Sequence, residues 1–114
     1  MKERRQLLWT RELDRFLQLE ELAGSLIEDA GSYRPVPDDW SGLHEKLTQL
    51  EHAAGRFCRY VEVRQAIRDL HNTVGRMLTV KRNGEDDRVV RAELDPAFRA
   101  LLASCDAVLK RGKP

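Results

Sequence analysis

The sequence predicts an all-α fold, a four-helix bundle-like domain with a long N-terminal helix, paired as a homodimer. Two observations lead there. Apolar side chains recur at three- and four-residue intervals in four stretches set apart by segments bearing proline or glycine. The composition, 34% charged and 41% hydrophobic, is that of solvated amphipathic helices. The 114 residues fit one domain, 1–114, whose expected helices lie near 2–30, 39–55, 58–82 and 96–111.

The first helix follows from Trp9, Leu13, Phe16, Ala23, Ile27 and Ala30, a ladder interrupted only at Glu20 and widened by Leu19, Leu22 and Leu26. A stripe that broad packs against two neighbours. Gly31 can end the helix in the left-handed conformation. Pro35 and Pro37 then forbid helix, and Asp38 is placed to cap the next one. From Trp40 one ladder runs through Leu43, Leu47, Leu50, Ala54, Phe57 and Val61. A second, out of phase with it, runs through Tyr60, Val63, Ile67, Leu70, Val74 and Met77. The slip beside Gly55 predicts a bend or break near 55–59; a single helix over 39–82 would be a rod of more than ~60 Å. Asn83-Gly84 with Glu85-Asp86-Asp87 reads as a loop. Asp95-Pro96 reads as the N-cap and first position of the last helix, whose stripe is Phe98, Leu101, Leu102, Cys105, Val108 and Leu109.

Several function classes lack their signatures. No run approaches the ~18 apolar residues of a membrane span, and the N-terminus carries no secretory apolar stretch, so a cytoplasmic location is expected. Cys58 and Cys105 are too few for a disulfide framework, and both fall in helical patterns where a small buried hydrophobe is the expected role. His44, His52 and His71 pair neither with one another nor with the cysteines at one-face helical spacing, so no metal and no cofactor is expected. Phosphate-binding glycine loops and nucleophile elbows are missing. Glu20, a charge on a core seam, calls for a partner: Arg64, Arg68 or a second subunit.

The formal charge of +1 hides an asymmetry: residues 1–55 carry seven basic and eleven acidic side chains, residues 56–91 nine and five. Pairing between the acidic first helix and the basic third explains it better than nucleic-acid binding, which calls for an uninterrupted basic face.

The leading expectation is therefore a non-enzymatic protein-binding regulator that sequesters or masks a partner, such as a transcription regulator, in the manner of an antiactivator or a chaperone. Leu8, Trp9, Phe16 and Leu19 would supply contact area, Arg11 and Arg15 the rim, and Tyr33 an aromatic in the stiff loop after the first helix. The alternative comes from Arg64 and His71, six residues apart in Arg64-Gln65-Ala66-Ile67-Arg68-Asp69-Leu70-His71. This pairing resembles the Arg-x(4–6)-His motif of the HEPN ribonucleases, small all-helical dimers that cleave RNA across their interface. The resemblance implies an RNA-binding or ribonuclease dimer in which Arg64 stabilises developing charge and His71 transfers a proton.

Overall fold

A computed structural model describes the backbone of residues 2–31 and 40–111 and the side chains of residues 11–31 and 42–111. The described chain is all-helical: α1 (Lys2–Gly31), α2 (Trp40–Arg56), α3 (Val61–Arg82) and α4 (Arg88–Arg111). The expected loop cap at Asp38 lies outside the described residues.

Contacts between helices fix their directions. Lys46 of α2 donates to Ser25 Oγ and Asp29 Oδ2 of α1, while Phe57, just past α2, meets Phe16, so α1 and α2 are antiparallel. Tyr60 at the head of α3 donates its hydroxyl to Glu12, and Lys81 at the tail reaches Ala30, so α3 runs with α1. Arg111 of α4 pairs with Glu62 and Glu93 with Arg76, which makes α4 antiparallel to α3. The result is an up-down-up-down arrangement.

The core is the set of stripes turned inward. Phe16, Leu19, Ala23, Leu26 and Ala30 are buried on α1; Leu43, Leu50, Ala53 and Ala54 on α2; Val63, Ala66, Ile67, Leu70, Val74, Met77 and Leu78 on α3; Leu94, Leu101, Cys105 and Val108 on α4. Leu22, Ile27, Leu47, Val90 and Phe98 pack against their edges.

The chain breaks at residues 57–60, where the two apolar ladders change phase. Phe57 closes α2 with a bond from its amide to the Ala53 carbonyl, and the Tyr60 carbonyl opens α3 by accepting from the Arg64 amide. Phe57 and Tyr60 then pack against Phe16 with their rings tilted to it, centroids 5.0 and 5.4 Å away. Val61, which extends the first ladder on paper, is 63% exposed because the break turns it outward.

α3 ends in a Schellman motif. The Glu85 amide donates to the Val80 carbonyl and the Gly84 amide to that of Lys81, with Gly84 at φ +69°.

α4 starts at Arg88, eight residues before the expected position, so Asp95 is not a cap and Pro96 lies inside the helix. Two factors overrule the proline. Asp86 accepts from the Arg88 amide and the Asp87 carbonyl accepts from the Arg91 amide, which supplies a capped start upstream. Val90 and Leu94 also continue the buried stripe, so burial rewards the extra turns. Pro96 and Ala92, whose carbonyl loses its helical donor at Pro96, are both exposed, which leaves that carbonyl to water. Asp95 instead pairs with Arg99 one turn on, at 2.8 Å.

Candidate functional site

Two depressions flank the C-terminal turns of α2, one on each side. The first is a groove of about 200 Å³ between α1 and α2. Leu19, Leu22, Ala53 and Phe57 form its floor, and Arg15, Gln18, Gln49 and Arg56 its rim. Leu19 and Phe57 are buried to 3% and 5% exposure, so the floor is core seen edge-on. The rim cations are weakly engaged. Arg15 approaches Glu12 at 3.7 Å with its own side chain 61% exposed, and Arg56 has no ion pair among the described residues.

The second depression is a cleft of about 530 Å³ between α2 and α3. On the α3 side, Arg64, Arg68, His71 and Asn72 fall at positions i, i+4, i+7 and i+8, one face of the helix, beside the apolar flank of Ile67. On the α2 side stand Glu51, Ala54, Gly55 and Cys58. The small pair Ala54-Gly55 keeps the cleft open. A Cβ added to Gly55 would meet nothing within 4 Å. Among the described residues, the side chains of Arg64, Arg68 and His71 have no hydrogen-bonding or ion-pair partner, whereas Arg76, Arg88, Arg91, Arg99 and Arg111 each hold a carboxylate.

The expected contact residues separate. Phe16 is fully buried and Leu19 nearly so, which corrects their assignment as surface anchors: the turn at 57–60 brings Phe57 and Tyr60 down over Phe16 and closes that face. Leu19 meets the surface only at the groove floor. Arg11 and Arg15 are exposed. The side chains of Leu8 and Trp9, and all of Tyr33, lie outside the described residues. Cys58 is exposed in the turn, not buried in a helix, whereas Cys105 is buried. Burial, with the Glu20 and Asp106 carboxylates close by, pushes the Cys105 thiol up to about 12.

Glu20 finds neither Arg64 nor Arg68, which face α2. It lies against α4, where burial raises its carboxyl above the usual range and the charge of Asp106 adds to the rise. Among the described residues no group of three or more His, Cys, Asp or Glu side chains is placed to hold a metal ion. No helix among them is long and apolar enough to cross a membrane.

No protein-family model matches the chain, and no characterised protein or solved structure resembles it significantly.

Proposed function

We propose that this chain is a non-enzymatic, cytoplasmic protein-binding regulator that works as a homodimer and sequesters or masks a partner protein, as an antiactivator of a transcription regulator or a chaperone does. The observation that supports this reading is the α1–α2 groove. Its apolar floor and its rim of arginine and glutamine suit an amphipathic segment that inserts one or two apolar side chains and sets acidic residues against Arg15 and Arg56. The test is capture from the cytosol of the source organism with tagged protein, after nuclease treatment. The wild type is expected to retain one stoichiometric protein that the double variant Arg15→Glu/Arg56→Glu releases. Both positions are exposed, so the double variant should melt like the wild type. Equal capture by both proteins would remove the groove from the reading.

A second reading is favoured by a different observation: Arg64 and His71 line the same cleft. A HEPN-like RNA-binding or ribonuclease dimer would use Arg64 to stabilise charge on the scissile phosphate and His71 to transfer a proton. RNA cleavage that His71→Ala abolishes supports it. A wild type inert on structured and single-stranded RNA eliminates it.

A further inference from the structure

We infer that the α2–α3 cleft is a binding site for a small organic phosphate of the nucleotide class. This inference does not rest on the protein-binding reading, because the groove and the cleft lie on opposite sides of α2 and share no residue.

Charge comes first. Arg64 and Arg68 stand one turn apart on one face, and neither is neutralised by a carboxylate among the described residues. Five other arginines are paired with carboxylates, whereas these two, adjacent on one helical face, keep their donors open to the cleft. Two guanidiniums with an imidazole beyond them present a row of N–H donors, the arrangement that recognises phosphate oxygens in bidentate fashion.

Shape comes second. The volume falls within the ~300–1,000 Å³ typical of small-molecule sites. Such a site also needs an apolar surface under the body of the ligand; here the edges of Ile67 and Ala54, 1% and 7% exposed, form a narrow apolar floor between the two helices. Gly55 leaves room above that floor for a flat ring. Glu51 on the opposite lip is an acceptor and repels the phosphate, so it orients the ligand: phosphate toward α3, hydroxyl or amino donors toward α2. A bare anion has no use for the floor or for Glu51.

Calorimetric or NMR titration of the full chain tests this with adenosine 5′-monophosphate, phenyl phosphate and inorganic phosphate as probes. Adenosine monophosphate is expected to bind with a Kd on the order of 0.1–1 mM and to bind more tightly than inorganic phosphate. Arg64→Gln and Arg68→Gln should each weaken it about tenfold. Gly55→Leu should abolish binding by filling the cleft while leaving the melting temperature at or above that of the wild type, since glycine is a poor helix residue and the space is open. Arg99→Gln, on the outer face of α4, should change nothing. No binding by any probe, or equal weakening by Arg99→Gln, overturns the inference. So does inorganic phosphate binding as tightly as the nucleotide, which would show a bare anion site. An RNA oligonucleotide held far more tightly through Arg64 and Arg68 would also overturn it and transfer the cleft to the ribonuclease reading.

Discussion

Replacing Arg91 with methionine should destabilise the bundle by about 2 kcal/mol. The reason lies at the C-terminus of α1, whose last turn contains no basic residue of its own to oppose the helix dipole. Two cations from other helices serve instead. Lys81 Nζ donates to the Ala30 carbonyl at 3.0 Å, and an Arg91 terminal nitrogen donates to the Gly31 carbonyl at 2.5 Å. The other terminal nitrogen of Arg91 is held by Asp87 at 2.7 Å, with both side chains largely covered (20% and 27% exposed). A hydrogen bond made by a charged group contributes ~1.5–3 kcal/mol, and a cation at a partly buried helix C-terminus up to ~2 kcal/mol. These two figures overlap because they describe one contact, so they are not added. Methionine keeps part of the apolar stem and removes the charge. Lys81, whose pKa is lowered chiefly by burial and further by the charge of Arg91, is relieved of that neighbour in the variant, which offsets a little of the loss. The assay is urea and thermal unfolding followed by circular dichroism, with a fall of roughly 6–12 °C in Tm expected. A double-mutant cycle with Lys81→Met should show that the two cations couple, because both act on one helix end. A loss under about 0.5 kcal/mol for Arg91→Met would refute the reasoning and assign the α1 terminus to packing alone.

Other consequences are directly measurable. Gly84→Ala should lower stability by about 1–2 kcal/mol by forcing a Cβ into positive φ, with Gly84→Asn milder, since no contact crowds the position. Glu20→Gln should raise the neutral-pH melting temperature by roughly 1–3 °C, on the scale of a relieved like-charge pair. The sign follows from the raised carboxyl: the folded chain binds this proton more tightly than the unfolded one, so Glu20 destabilises above its folded pKa. The penalty fades as pH falls through that value toward the unfolded pKa, and the advantage of the variant should vanish in acid. Tyr60→Phe should cost about 1 kcal/mol through the lost hydroxyl bond to Glu12 Oε2 at 3.1 Å, and Glu12→Gln should remove much of the difference between tyrosine and phenylalanine in a double cycle.

The helices are legible wherever burial and periodicity agree. α1 and α3 bury the stripes that their apolar spacing marks, because at i, i+3, i+4 and i+7 no other backbone conformation puts those side chains on one face. The start of α4 was hidden for a definite reason. Pro96 is the strongest local stop signal in that segment, and its penalty is local, whereas the reward for continuing upstream comes from Val90 and Leu94 meeting helices distant in sequence. Asp86 and Asp87, read as loop residues, provide the start through a side chain in one case and a carbonyl in the other. Periodicity also marks which residues are apolar without distinguishing a surface stripe from a covered one. Phe16 reads equally well as an anchor for a partner or as core; the aromatic turn at 57–60, forty residues away, makes it core.

That turn organises the site as well as the core. Had the α2 ladder continued in phase, Val61 and its successors would have carried one straight helix onward and there would be no second wall for the cleft. The slip folds α3 back beside α2 and turns the polar face starting at Arg64 toward Ala54 and Gly55. The same reversal drives Phe57 inward, where it becomes the floor of the groove on the other side. Groove and cleft are therefore two faces of one break, and the residues that show it in the sequence are Gly55 and the mismatched pair Phe57 and Tyr60, the first at the end of one ladder and the second at the head of the other. Arg64 and His71 were visible because a helix places positions seven apart on one face. Arg68 and Gly55 were not, because what sets them apart is that one has no ion pair among the described residues and that a Cβ on the other would meet no neighbouring element within 4 Å, and both depend on where α2 comes to rest.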